Sequence, residues 1–376
     1  MKFVASKEAV LSALQQVSNI VGTRPSMPVL SNVLMEADLD SGMVSFTTTN
    51  LDMGIHCSLN AKISESGGVT LPTKKLFMIV KSLPGNDLTI EMLDNLRVKI
   101  SSNGSTFILP GLDQTEFPKL SKIDEIGGIT LGQEDFSHML KNVSYAQSKD
   151  ENRYILNGVY FSIEEDRINL VATDGRRLSL ISKKFDEKID FKSVIIPAKT
   201  VLELERMLGI GETLDIYSDG RQISFRVQVD GEGDSGLADI IRIVSKVVDG
   251  KYPNYKQVIP STTEHRVRLD RERFLEMVQR VSIVADDKNC SIRFKIFNNS
   301  IEAHSFSQAS GEANEAMAIA YEEVPVEAAF NPRFISDPLR ALAKDEVYFE
   351  FKDELSPGVF KDTNGLVCVV MPLRLN

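Results

Sequence analysis

Three segments of this chain read alike: Leu14-Gln15-Gln16-Val17-Ser18, Leu140-Lys141-Asn142-Val143-Ser144 and Val278-Gln279-Arg280-Val281-Ser282. They recur at about a third of the 376-residue length. Each closes an amphipathic stretch that follows a short apolar, alternating one: Phe3-Val4-Ala5, Ile129-Thr130-Leu131 and Val267-Arg268-Leu269. Val10, Leu11, Leu14, Val17 and Val21 fall on one helical face, and Phe136, Leu140 and Val143, then Phe274, Leu275, Val278 and Val281, repeat the pattern. Ser6, Gly132 and Asp270 stand where strand hands over to helix; Ser and Asp cap a helix there and Gly is tolerated. A chain that copies itself at this spacing is one domain built three times, and this constrains it more than any local motif.

A second unit recurs in the same order. Pro72 to Leu83, Pro197 to Leu208 and Asn331 to Leu342 each read as a short helix, and each precedes a strand: Leu88-Thr89-Ile90, Leu214-Asp215-Ile216-Tyr217 and Val347-Tyr348-Phe349-Glu350-Phe351. Leu83, Leu208 and Leu342 share one offset. Between the units lie alternating strands; Thr49-Asn50-Leu51-Asp52 matches Thr173-Asp174-Gly175-Arg176. The predicted helices are 7–20, 73–82, 133–146, 198–208, 271–283 and 332–344. Pro338 predicts that the last starts late or kinks. Turn-rich linkers from Phe117 to Gly128 and from Tyr252 to Glu264 set domains at 1–125, 126–253 and 254–376. The fold class is α+β, each domain carrying two helices on an antiparallel sheet.

Composition is that of an ordinary globular protein, 42% apolar and 26% charged. No apolar run reaches the roughly 18 residues of a membrane span, and Met1 to Glu8 lacks a signal pattern, so no membrane partner and a cytoplasmic site are expected. Cys57, Cys290 and Cys368 are too few and scattered for a disulfide framework or metal knuckle. His56, His138, His265 and His304 are far apart, and no carboxylates show metal-ligand spacing. Gly231, Gly233 and Gly236 spell a dinucleotide fingerprint, but Asp230, Glu232 and Asp234 would repel phosphate, so a hairpin loop is expected. No catalytic residue, metal or cofactor is assigned, which shifts the weight towards binding.

Charge is distributed unevenly. The six predicted helices hold 13 Lys and Arg against 8 Asp and Glu, whereas the chain is −10 overall and the remainder −15. Helices favour Glu as readily as Lys, so this reversal points to a common surface facing a polyanion. Three similar domains in a row favour an arc, and two arcs can close head to tail into a six-domain ring. The residues alone leave open an enzyme of repeated domains acting on nucleotides, or a peptide-binding scaffold that never touches DNA.

Longer motifs narrow this. Arg24-Pro25 with Pro28-Val29-Leu30, Tyr154-Ile155-Leu156-Asn157-Gly158-Val159, Val171 to Leu178 (Val-Ala-Thr-Asp-Gly-Arg-Arg-Leu), Val248-Asp249-Gly250-Lys251-Tyr252-Pro253 and Val370-Met371-Pro372-Leu373-Arg374-Leu375 appear in order. Over its whole length the chain resembles the bacterial DNA polymerase III beta subunits, the sliding clamps. The resemblance implies the DNA clamp fold and a homodimeric ring around duplex DNA, bound without regard to sequence. It implies a processivity factor, a non-catalytic subunit of the DNA-directed DNA polymerase III holoenzyme, itself a nucleotidyltransferase complex. It also implies as partners the polymerase alpha subunit, the clamp-loader delta subunit and other replication and repair clients with a short Gln/Leu/Phe motif.

A ring that slides needs scattered cations to attract phosphate. The candidates are Lys74, Lys75, Lys81, Lys141, Lys149, Arg153, Lys199, Arg206, Arg271, Arg273, Arg280, Arg333 and Arg340, with Arg24 added by the resemblance. For the client-peptide pocket the resemblance implies Leu156, Thr173, Gly175, Arg176, Arg177, Leu178, Pro253, Gln257, Val258, Asn331, Phe334, Leu355, Val369, Met371, Pro372, Leu373 and Arg374. Met suits a groove that adapts to differing peptides. Gln257 stands where many relatives have Arg, and Arg176 where some have His, which bears on client preference. For the dimer contact the resemblance implies Phe107 and Leu109 of one chain against Ile283 and Val284 of the other, with Lys74 at the rim.

Overall fold

The structure is a computed structural model; it describes residues 1–376 except 23–26, 122, 186–190, 231–235, 286–289 and 375–376. The six expected helices form: α1 Lys7–Val17, α2 Thr73–Ser82, α3 Gln133–Val143, α4 Ala198–Met207, α5 Arg271–Val281 and α6 Pro332–Ala341. The Val-Ser of the first repeated segment marks where α1, α3 and α5 end. Val17, Val143 and Val281 are buried, and the Ser after each begins a 3-10 turn, Ser18–Ile20, Ser144–Ala146 and Ser282–Val284. The turn keeps roughly helical spacing, which is why periodicity carried the predicted helices past their ends.

The starts follow the capping rule. The Ser6 side chain accepts from the Ala9 N–H at 3.4 Å, and Asp270 from the Arg273 N–H at 2.9 Å. A further bond recurs in all three copies. The first helical N–H, of Lys7, Gln133 or Arg271, donates to the carbonyl of Asn86, Glu212 or Asp345, at 2.7, 2.8 and 2.7 Å. Each acceptor immediately precedes the strand of the second unit, and those strands pair alike: Ser6 opposite Asp87, Gly132 opposite Thr213, Asp270 opposite Glu346. The second helices also end alike, with Leu83, Leu208 and Leu342 donating to the carbonyls of Ile79, Leu204 and Pro338 at 3.0, 2.9 and 2.9 Å. In α6, Asn331 caps the first turn by accepting from the Arg333 N–H at 2.9 Å, so the helix does not start late; Pro338 sits buried inside it.

The chain forms two compact units. Residues 1–137, 189–192 and 202–247 make one, and 138–188, 193–201 and 248–376 the other. The grouping is not threefold because the middle repeat gives one sheet to each unit. In the first unit a five-stranded sheet runs Lys62–Glu65, Lys2–Ser6, Asp87–Met92, Arg97–Ser102, Ser105–Pro110. Its nine-stranded partner includes Met53–Asn60 of the first repeat beside Ile240–Lys246 of the second, with Ile55 opposite Ile243. In the second unit an eight-stranded sheet sets Arg177–Lys184 of the second repeat beside Leu366–Val370 of the third. A four-stranded sheet follows the order Gly311–Ala318, Ser300–Ser307, Ile292–Phe297, Val326–Phe330. These pairings are antiparallel.

Each unit has its own core. α1 buries Ala9, Val10, Ala13, Leu14 and Val17, and α5 buries Phe274, Met277, Val278 and Val281. Fully burying each large apolar side chain is worth about 1.5–3 kcal/mol. Among the described residues, no helix is long and apolar enough to cross a membrane.

Candidate nucleic-acid and peptide interfaces

The helix cations fall into two groups. Lys74, Lys75 and Lys81 on α2, Lys141 on α3, Lys199 on α4 and Arg273 on α5 are exposed, as is Lys149 beyond α3. Among the described residues none has a carboxylate within ion-pair distance. The others are partly or wholly committed. Arg206 lies 3.2 Å from Glu203, whose burial raises its carboxyl pKa while Arg206 pulls it down. Arg280 is held by Glu315 at 2.7 Å and Glu276 at 3.1 Å, which push its pKa up and leave little charge for phosphate. Arg271 is half-buried and donates to the carbonyls of Lys344 at 3.0 Å and Leu339 at 3.3 Å; it braces the end of α6 instead of facing solvent. Arg153 is not on a helix face: it reaches the Asp174 carbonyl at 3.1 Å, beside the pocket residues. Arg333 and Arg340 are exposed but share Asp337, at 3.7 and 3.3 Å. Arg24 lies outside the described residues.

The pocket residues are built around one turn. Thr173 Oγ1 donates to the Arg177 carbonyl at 2.6 Å and accepts from the Gly175 N–H at 3.0 Å. Asp174 Oδ1 accepts from the N–H groups of Arg176 and Arg177 at 2.9 and 3.1 Å. The turn needs a left-handed residue, and Gly175 supplies it with φ +83°. The chain then enters strand Arg177–Lys184, where Leu178 pairs with Val369. Leu178 and Val369 are buried with Val171, Ile195, Tyr252, Tyr255 and Val359, and Leu156 packs against them. They are a floor rather than a rim. Tyr252 also stacks on Tyr160 at 4.9 Å, and its burial raises the phenol pKa.

Above this floor lie exposed groups: Arg176, Pro253, Gln257, Val258, Met371, Leu373 and Arg374, with Pro372 half-buried. The terminal segment is pinned twice, Met371 N–H to the Arg176 carbonyl at 3.0 Å and Leu373 N–H to the Ala329 carbonyl at 2.7 Å. Val258, Met371 and Leu373 leave 43%, 37% and 37% of their surface uncovered, so apolar groups face solvent on the two segments that adjoin this core. Leu355 is exposed on the turn after strand Glu346–Phe351, outside this core. Asn331 spends its side chain capping α6.

Arg177 differs from its sequence reading. It is buried, and works as a strut instead of a wall. Its guanidinium meets Asp174 at 3.1 Å, Asp337 at 2.6 Å and the Tyr145 carbonyl at 2.6 Å, with the Phe334 ring 4.6 Å from its centre. Tyr145 and Asp337 come from distant elements, so nothing in the local sequence marks them.

Of the expected dimer residues, Phe107 and Leu109 lie on an open edge strand, Ile283 and Val284 on the 3-10 turn after α5, and Lys74 on α2. Ser105–Pro110 ends the five-stranded sheet and Gly311–Ala318 ends the four-stranded one. Phe107 and Ile283 are exposed at 41% and 77%, and Val284 is half-buried. Leu109 is only 9% exposed and belongs to the core of its own repeat; Ile108, at 43%, is the outward neighbour of Phe107. Simple alternation fails there because three successive residues, Thr106, Phe107 and Ile108, are exposed along an edge strand.

The Gly231 to Asp234 loop lies outside the described residues, so its hairpin reading is not placed; the Ile240–Lys246 strand follows it. Among the described residues no three His, Cys, Asp or Glu side chains are gathered as for a metal ion.

A threefold α+β repeat with sheets shared across its joints defines a clamp-type protein. Family models of the DNA polymerase III beta subunit match residues 1–121 (N-terminal domain), 130–254 (central domain) and 256–374 (C-terminal domain). The "Beta sliding clamp" of Synechococcus elongatus is 32% identical over 386 residues, covering all of both chains. Among solved structures, Caulobacter crescentus pol III beta superposes with a TM-score of 0.90 at 31% identity. A sliding clamp from Bartonella birtlesii bound to griselimycin does so at 0.93 and 29%. Both comparisons cover the full length of each chain. The chain belongs to the DNA polymerase III beta subunit family, with the clamp fold and the role of a replication processivity factor.

Proposed function

We propose that two copies of this chain close head to tail into a ring of six domains, with boundaries near 1–125, 126–253 and 254–376, that encircles duplex DNA. The exposed helix cations draw the ring to phosphates without reading bases, while topology, not affinity, retains it. The observation that carries this reading is the exposed set Lys74, Lys75, Lys81, Lys141, Lys199 and Arg273, which have no carboxylate partner among the described residues, on the helices of a chain whose net charge is −10. Closure uses the open edges at Ser105–Pro110 and Gly311–Ala318, through Phe107 and Ile108 of one chain and Ile283 and Val284 of the other.

The strip at Val258, Met371, Pro372 and Leu373 takes a short client motif. Its Leu and Phe anchors gain about 1.5–3 kcal/mol each on burial, and an isolated peptide binds in the micromolar range, about −8 kcal/mol. The polymerase alpha subunit, the clamp-loader delta subunit and other replication and repair clients dock there in the cytoplasm. The protein tethers a nucleotidyltransferase and does no chemistry itself.

The deciding measurement is retention on DNA after loading. On a nicked circle the protein stays bound at salt that abolishes ordinary phosphate contacts, and it leaves when the circle is cut. Equal loss from circular and linear DNA excludes encirclement. Replacing Ile283 and Val284 with Asp gives folded monomers by sedimentation, since unpaired charge at a closed interface costs several kcal/mol; a persistent dimer excludes this interface.

A further inference from the structure

The Asp337 carboxylate serves three guanidinium groups. Arg177 Nη1 lies 2.6 Å from Oδ2, Arg340 Nη1 lies 3.3 Å from Oδ1, and Arg333 Nε lies 3.7 Å from Oδ2. The three are not equivalent. Arg177 is 6% exposed and fixed by Asp174, by the Tyr145 carbonyl and by the Phe334 ring. Arg333 and Arg340 are 63% and 55% exposed, and Asp337 is their only carboxylate among the described residues. Two carboxylate oxygens divided among three cations leave each contact weaker than a full bidentate pair.

A phosphate oxygen approaching Arg333 or Arg340 competes for a guanidinium that is already loosely held. Each cation drawn away leaves more of Asp337 to Arg177. Arg177 in turn holds the client groove from beneath. Its neighbour Arg176 supplies the carbonyl that pins Met371, its own carbonyl closes the Thr173 turn, and Phe334 lies against its face. Both ends of this chain of contacts lie in one compact unit, that of residues 138–188, 193–201 and 248–376.

We propose that Asp337 is a positioning residue shared by the two interfaces: phosphate contact at Arg333 and Arg340 tightens the Asp337–Arg177 pair and so firms the groove, and the clamp on DNA holds a client peptide more strongly than the free clamp. This rests on the DNA-facing and groove readings above. Exposed ion pairs are weak, so the effect is about two- to fivefold in peptide affinity. Linkage makes it reciprocal, so bound peptide strengthens phosphate contact by the same factor.

The test measures the affinity of a fluorescent peptide bearing Gln, Leu and Phe anchors for the full-length protein, free and loaded on nicked circles. Wild type binds about two- to fivefold tighter on DNA. Asp337→Asn loads on circles but binds peptide equally in both states, and Asp337→Glu restores the difference. The double variant Arg333→Gln with Arg340→Gln gives the tight value even without DNA, because Arg177 then has Asp337 to itself. This surface variant decides the matter if Asp337→Asn unfolds. Equal wild-type affinities on and off DNA overturn the coupling while leaving the clamp reading intact, and so does a difference that survives in Asp337→Asn. Failure of wild type to stay on circles, or to bind the peptide at all, overturns the underlying reading and the coupling with it.

Discussion

At Thr49–Met53 and at Thr173–Arg177 the same hydrogen-bonded turn leads into a strand that pairs with a strand of the next repeat. Thr49 Oγ1 accepts from the Leu51 N–H and donates to the Met53 carbonyl, both at 3.0 Å, as Thr173 does with Gly175 and Arg177. Asn50 Oδ1 accepts from the Met53 N–H at 2.8 Å, as Asp174 does from Arg177. The surfaces above the two turns are nevertheless unlike. At the first joint the buried Met53 is followed by Gly54, and a Cβ on Gly54 would stand 2.2 Å from Leu120 of the linker. The linker closes that joint, bordered by the surface pair Asp52 to Lys246 at 3.0 Å and by Glu125 of the linker, which pairs with Arg226 and Arg242. At the second joint a buried arginine replaces the methionine, and Val258, Met371 and Leu373 remain uncovered. A shared backbone turn therefore does not specify a binding surface. The residue after the turn and the side chain offered by the linker do.

The contrast is sharpest in the charges. Arg177→Met leaves Asp174 and Asp337 beneath the second joint without their buried partner, a loss of about 3–5 kcal/mol. Lys246→Met at the first joint costs about 0–1 kcal/mol. Chemical denaturation of both variants checks this, and equal costs would erase the distinction drawn between the joints.

Next in size is Met371→Ala combined with Pro372→Ala. Losing a partly buried Met and the stiff Pro weakens client peptides by about 1.5–3 kcal/mol, with the dimer unchanged. Calorimetry with two unrelated client peptides reads this out. Both should weaken together; full affinity for one of them would show that clients use separate surfaces.

Gly54→Ala works in the opposite sense, by disturbing the filled joint. The new methyl meets the far end of the Leu120 side chain, which can shift aside, so the cost is about 1 kcal/mol, seen as a lowered melting temperature and faster amide exchange near Leu120. Client affinity stays unchanged.

The smallest effect is in pH. Burial, then the nearby Arg242, lowers the His56 pKa at the first joint. The unfolded chain takes up its proton near the ordinary value of about 6.5 and the folded chain only below it. The stabilisation is therefore complete above that value and is lost as the pH falls through the folded pKa. His56→Gln removes this part of the acid sensitivity. An unchanged pH profile would mean that His56 titrates as it would in water.

Much of the architecture was legible because it is local and repeated. The Ser6 and Asp270 caps, the common offset of Leu83, Leu208 and Leu342, and the matched Thr49 and Thr173 turns were all visible as patterns. Three helix ends were overrun where a 3-10 turn carries apolar residues past Val17, Val143 and Val281, and the last helix, expected to residue 344, stops at Ala341, where Leu342 turns extended. The interfaces were less legible because they depend on distant pairs. Arg280 lies in a helix, but Glu315, on an edge strand, neutralises it. Arg271 resembles Arg273 in the sequence, yet only Arg271 reaches the carbonyls at the end of α6. Leu109 and Ile108 are adjacent and similar, and only the packing of the edge strand decides which one faces out.

The bond from the first helical N–H to the carbonyl before a later strand, present in each repeat, bears on how the protein is made. Lys7 waits for Asn86, Gln133 for Glu212 and Arg271 for Asp345. Closing so long a stretch costs chain entropy before the contacts it permits repay it. On the ribosome each repeat remains open until its second helix and the following strand have emerged, so the chain matures in three instalments. The last closes only after Asp345 has emerged, and a nascent chain arrested before that residue carries a third domain that cannot shut.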